Sequence, residues 1–219
     1  VFGTELHNTQ LISDHIHAVR LGSGGGGDAS AIMDGCVTVG SNLSGTALAG
    51  QKWVELRSTP LAFQDNFINC PILDSLSTLN VAVRLTSSGV LNCSRNYVRP
   101  QGDALAWDRG ISLAGGTIGS IANLLNGPSY NTGGVTGGIV VDSATDFKAE
   151  TCFLTGFPGF GIDVAVGIKS GIINCSVNGL NNGNGIRAGN GVIEANRVEF
   201  VRAVGIHAWP NTLVKNNII

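Results

Sequence analysis

Glycine followed by isoleucine recurs at Gly110-Ile111, Gly138-Ile139, Gly161-Ile162, Gly185-Ile186 and Gly205-Ile206, and each copy opens a short alternating segment. Behind it runs a second recurrence, in which a polar residue follows an apolar pair. Its clearest copies are Phe67-Ile68-Asn69-Cys70, Val90-Leu91-Asn92-Cys93, Ile172-Ile173-Asn174-Cys175 and Val214-Lys215-Asn216-Asn217. Ile121-Ala122-Asn123-Leu124, Ala149-Glu150-Thr151-Cys152 and Ile193-Glu194-Ala195-Asn196 are looser copies. The corner positions 69, 92, 123, 151, 174, 196 and 216 are separated by 23, 31, 28, 23, 22 and 20 residues, and the isoleucines precede their corners by 12, 12, 12, 10 and 10. Two columns that keep step while the loops vary describe the coil of a solenoid. Trp53-Val54-Glu55-Leu56, Asn80-Val81-Ala82-Val83 and His17-Ala18-Val19-Arg20 read as the same strand in earlier coils.

A single coil cannot bury its inward side chains. Stacked at the strand spacing of about 4.8 Å, coils share a continuous core and exchange main-chain hydrogen bonds. The predicted fold is therefore all-β, a single-stranded right-handed parallel β-helix of about seven to eight coils. The chain is 13% charged and 43% hydrophobic with 32 glycines, a composition suited to strands and tight turns and not to long exposed helices. Asn at the corner is expected to tolerate left-handed backbone and to pass its amide hydrogen bond along the stack. Glycine before isoleucine is expected to supply a second strained turn. Residues 1–219 read as one domain, less regular over 1–50. The repeat breaks off within Asn216-Asn217-Ile218-Ile219, which suggests a fragment of a longer chain or end-to-end stacking.

The stretch 185–219, and the same pattern more weakly back to about Val54, resembles the pectin-lyase-like superfamily of right-handed β-helices. That superfamily includes bacterial polysaccharide lyases and epimerases and bacteriophage tailspikes. The resemblance implies a polysaccharide partner, a location outside the cell or on a virion surface, and a side-by-side homotrimer. It says little about chemistry, because the same fold serves lyases, hydrolases, epimerases and adhesins. Two expectations stand side by side: a tailspike-like recogniser that binds, or also depolymerises, a polysaccharide as hydrolase or lyase, and a structural or adhesive solenoid without catalysis.

Period two gives the outward side chains of the Gly-Ile strands. Immediately after the apolar position come Glu55, Ala82, Ser112, Val140, Asp163, Arg187 and His207; two further along come Arg57, Arg84, Ala114, Asp142, Ala165, Gly189 and Trp209. Asp142, Asp163, Arg187, His207 and Trp209 thus fall on one face. A step of about 4.8 Å between coils and about 6.8 Å along the strand puts the two carboxylates on the order of 8 Å apart, within the range of inverting glycoside hydrolysis. In that reading Asp142 and Asp163 divide acid and base roles and His207 shuttles a proton, while Arg187 holds an acidic group and Trp209 stacks on a sugar ring. The plain reading of the same residues is a solvated polar face. Trp107 and Arg109, with Asp108, Asp103 and Tyr97, lie between Asn96 and Gly110 in a longer insertion of the kind that often lines a binding groove.

A formal net charge of −2 offers no basis for nucleic-acid binding, and no apolar run is long enough for membrane insertion. Five cysteines cannot all pair. Cys70 and Cys93, and likewise Cys152 and Cys175, are 23 residues apart and follow the corner residue, so each pair is expected to stack across adjacent coils. In-register side chains hold Cβ atoms farther apart than a disulfide prefers, which favours buried thiols. Asn92 and Asn174 match the N-glycosylation pattern but are expected to point inward. Asp14-His15-Ile16-His17 offers a pair of histidines with no third ligand, and the glycine tract 22–27 lacks the lysine of a phosphate loop. No metal or cofactor is expected.

Overall fold

A computed structural model describes residues 4–13, 18–21, 30–40, 52–70, 81–100, 108–127, 137–157, 159–179 and 184–219. The described residues form twenty-three strands and no helix, and every strand pairing is parallel. The chain is a parallel β-solenoid. One late coil shows the plan: Asn184–Ala188 lies on a first face, Gly191–Glu194 on a second and Arg197–Glu199 on a third. In two earlier coils the strands Val81–Ser94 and Arg109–Ile121 run unbroken round the bend between the first two faces. The third face stacks eight strands, from Gln10–Ser13 to Arg197–Glu199.

The isoleucine column holds its register throughout. Val19, Val54, Val83, Ile111, Ile139, Ile162, Ile186 and Ile206 are successive partners along the first face. From Val54 to Ile186 this column is completely buried, each side chain contributing roughly 1.5–3 kcal/mol relative to exposure. Leu11, Thr38, Ile68, Val98, Leu125, Leu154, Val177 and Val198 form the facing column on the third face. Its only polar member, Thr38, accepts the indole N–H of buried Trp53 at 2.9 Å.

The glycines before the isoleucines do a different job from the strained turn expected of them. Gly138, Gly161 and Gly185 have ordinary φ, but a Cβ at each would collide with Leu154, Val177 or Val198 across the core. They are glycine for want of space.

The corner between the second and third faces is also a correction. It uses two adjacent residues, not one. The first is exposed or half-buried and holds left-handed backbone: Asn8, Gly35, Asp65, Arg95, Ala122, Thr151, Asn174, Ala195 and Asn216 have φ between 48° and 60°. The second points inward, giving the column Cys36, Asn66, Asn96, Asn123, Cys152, Cys175, Asn196 and Asn217. Asn69 and Asn92 do not belong to it. They sit within the strands Phe67–Cys70 and Val81–Ser94, where an outward Asn after two residues of a strand mimics the corner pattern.

Within that column amide bonds to amide. Asn66 donates its backbone N–H and its Nδ2 to Asn96 Oδ1 at 3.1 and 3.0 Å, and Asn96 donates likewise to Asn123 Oδ1 at 3.0 and 2.9 Å. Each side-chain amide also caps a second-face carbonyl of the coil before, Asn66 on Met33, Asn96 on Phe63, Asn123 on Cys93 and Asn196 on Ile172. Where the column holds cysteine, thiol replaces amide: Cys36 donates to Leu6 O and Cys152 to Ser120 O, at 3.4 and 3.2 Å.

All five cysteines are free and buried. Cys152 and Cys175 stack as expected, since their flanking residues Phe153 and Ser176 are partners. Cys70 and Cys93 do not stack. Cys70 ends a third-face strand opposite Pro100, whereas Cys93 lies on the second face between Phe63 and Ser120. Burial pushes both of these thiols up, and hydrogen bonding to Cys152 together with burial does the same to Cys175. Asn92 and Asn174 are exposed, not inward, because one lies on an outward strand position and the other is the left-handed corner residue.

Candidate ligand-binding face

Outward residues of the first face form a row in which Arg20, Glu55, Arg84, Ser112, Val140, Asp163, Arg187 and His207 are successive partners. Arg84 stands where Ala82 was expected. The isoleucine position of that coil is Val83, one alternation later than the sequence pattern suggests.

The row joins Asp163, Arg187 and His207 on three consecutive coils. Arg187 grips Asp163 through a two-pronged pair, Nε to Oδ1 and Nη2 to Oδ2, both 2.6 Å. Its ζ-carbon stands 4.3 Å over the Phe160 ring. Asp163 is 5% exposed, so the fork supplies the partner that a buried carboxylate requires. The same hydrogen bond raises the Arg187 pKa. His207 follows in register, with its ring 4.6 Å from that of Trp209. Trp209 packs on Gly189, where a Cβ would strike it, and donates its backbone N–H to Ala188 O. Its indole Nε1 is buried and makes no hydrogen bond.

Asp142 belongs to a second cluster. The pairing slips after Leu113, so that Ala114 faces Ser143 and Asp142 is the extra residue of a bulge. There both its oxygens accept Arg109 Nη1, at 2.7 and 2.6 Å, and Ser112 Oγ donates to Oδ2 at 3.1 Å. Asp142 and Asp163 thus share the face but each is engaged by its own arginine. Buried Arg109 Nε is left without a partner.

Trp107 and Asp103 lie outside the described residues, as do the Asp14–His17 pair of histidines and the glycine tract 22–27. Tyr97 is not in the insertion. It starts the third-face strand Tyr97–Pro100, where Phe67, Tyr97, Leu124 and Phe153 are successive outward partners. Phe67 and Tyr97 meet edge to face at 5.0 Å, and Arg99 lies over both rings while its Nε donates to Asn69 Oδ1 at 2.7 Å. Strand alternation in Phe67-Ile68-Asn69 and Tyr97-Val98-Arg99 carried the signal for this stripe.

Toward the chain start the first face turns cationic. Glu55, 2% exposed, is bound by Arg57 at 2.7 Å, Lys52 at 3.1 Å and Arg20 at 3.3 Å. Burial alone would raise its pKa, but the hydrogen bonds from Arg57 and Lys52 outweigh that and hold it below the usual carboxylate value. Among the described residues no group of three or more His, Cys, Asp or Glu side chains is placed to hold a metal. Compared with protein families, curated proteins and solved structures, the chain matches none.

Proposed function

We propose that the first face of this solenoid recognises a polysaccharide outside the cell or on a virion surface, in the manner of the pectin-lyase-like tailspikes that the sequence resembles. The observation that carries the reading is the end of the row: the tilted His207–Trp209 pair, rings 4.6 Å apart, beside the planar Arg187–Asp163 fork. Sugars are bound by that combination, an aromatic face for the ring and fixed polar groups for its hydroxyls.

Binding is favoured over cleavage. A general acid or base has to reach the reacting oxygen or water, and here Asp142 and Asp163 are both committed to arginines. Depolymerisation by this face requires one of these pairs to open on the substrate.

The test is a panel of bacterial capsular and O-antigen polysaccharides, scored for binding and for new reducing or unsaturated ends. Saturable binding that Trp209→Ala or His207→Ala weakens about tenfold or more supports the reading. Binding unchanged in both variants removes it. Cleavage that survives Asp142→Asn with Asp163→Asn removes those residues as catalysts.

The second reading is a structural or adhesive solenoid without chemistry, assembled side by side into a trimer or end to end. It is favoured by the outward stripe of Phe67, Tyr97, Leu124 and Phe153, of which the last two are 38% and 43% exposed.

A further inference from the structure

Arg84 occupies the centre of the cationic part of the first face, directly in register with Glu55 on one side and Ser112 on the other. It is half-buried, and among the described residues its side chain makes no hydrogen bond or ion pair. That is unusual, since a partly desolvated guanidinium ordinarily finds a carboxylate. Glu55, its neighbour in register, is already shared by three cations: Oε1 takes Arg57 and Lys52, and Oε2 takes Arg20. Among the described residues of this patch, Arg20, Lys52, Arg57, Arg84 and Arg109 set five positive charges against two negative, Glu55 and Asp142.

Two further polar groups beside Arg84 are also left over. Thr86 lies two residues along the same strand and its buried Oγ1 has no partner; Arg109, on the next coil, has a buried Nε in the same state. Those two atoms are buried out of reach, so the group of this patch that is open to an anion is the Arg84 guanidinium, set in an excess of positive charge. Arginine is the side chain whose fork best matches a carboxylate, sulfate or phosphate.

We propose that Arg84, in the cationic cluster it forms with Arg20, Lys52 and Arg57, binds an anionic substituent of a polysaccharide. The site adds charge to the ligand named above and rests on that reading for the polymer, but not for the anion. It lies toward the opposite end of the row from His207 and Trp209, so a polymer lying along the solenoid axis would meet both.

The experiment measures binding of dextran sulfate, polygalacturonate and a phosphorylated dextran, with uncharged dextran and single-stranded DNA as comparators, at moderate salt. At least one charged polysaccharide is expected to bind, and Arg84→Ala to weaken it about tenfold or more. Arg84→Gln, which keeps the stem, should fall nearly as far. Because the Arg84 side chain has no partner to lose among the described residues, both variants should melt with the wild type. Arg95→Ala, removing an exposed arginine paired to Asp65 on the corner, should bind as the wild type does. The arm that binds most tightly identifies the anion.

The proposal is overturned if no charged polysaccharide binds, if Arg95→Ala costs as much as Arg84→Ala, or if DNA binds more tightly than all three polymers. Neutral glycan binding through Trp209 with a silent Arg84→Ala would sink this site and spare the function proposed above. Charged polymers bound through Arg84 but unaffected by Trp209→Ala would do the reverse.

Discussion

The inner corner and the outer row of the first face are built on the same coils at the same spacing, yet they treat polar groups in opposite ways. Inside, Asn66 and Asn96 bond forward to the amide of the next coil, and they and Asn123 bond back to a carbonyl of the one before. Outside, the Arg84 side chain, Thr86 Oγ1, Arg109 Nε and Trp209 Nε1 have no partner among the described residues. A repeat closes its interior because each coil is the binding partner of its neighbour. Its outer face pairs some groups across coils, as Arg187 does Asp163, and leaves others over for the ligand proposed above.

The largest effect is expected from opening the closed side. Asn96→Ala strands Asn66 N–H and Phe63 O in the core and should cost on the order of 2–4 kcal/mol, read by chemical denaturation. Asn92→Ala, at an exposed strand position with the same local sequence pattern, should stay within about 0.5 kcal/mol. Equal costs would mean that the ladder is not where the corner draws its stability.

Next in size are the outer substitutions. Trp209→Ala and Arg84→Ala should each cost about 1.4 kcal/mol in binding, the tenfold loss converted at room temperature. Stability should hardly move for Arg84→Ala, the inverse of the Asn96→Ala pattern.

Ala195 is a smaller test of the corner. It holds φ of 54°, a conformation that costs an L-residue with a Cβ about 1–2 kcal/mol, so Ala195→Gly should stabilise the protein by roughly 1 kcal/mol. Thermal melting of the two proteins side by side reads it, and a lower melting point in the variant would count against the corner assignment.

The smallest effect concerns pH. Glu55 sits below its ordinary value of 4.5 in the folded chain, so its stabilisation is present above that value and is lost as pH falls through the lower folded-state value. Stability should therefore drop below about pH 4.5, and Glu55→Gln should flatten that part of the profile. An unchanged acid limb in the variant would assign the drop to other carboxylates.

The legibility of these two regions in the sequence differs for the same reason. The isoleucine column is readable at every coil but that of Val83, where it is off by one alternation, because burial demands an apolar side chain at each coil and register follows. The corner was readable only in outline. Asn69 and Asn92 imitate it, while Asn66 and Asn96 were passed over because the left-handed residue before them is Asp65 or Arg95, types that carry no turn signal so distinct as glycine. The outer row was legible by alternation at Asp163, Arg187 and His207. At Asp142 alternation gives the face, but a bulge takes the residue out of register, and at Arg84 the column begins one alternation later. That the Arg84 side chain lacks a partner among the described residues depends on how Glu55 is shared among three cations, which no linear pattern encodes.

The central claim, that the first face is the one that meets ligand, is tested most directly by hydroxyl-radical footprinting of side chains with and without a polysaccharide that binds. The account predicts protection of Trp209 and His207, with Leu124 and Phe153 on the third face oxidised as before. Protection of Leu124 and Phe153 with Trp209 and His207 unchanged would contradict it.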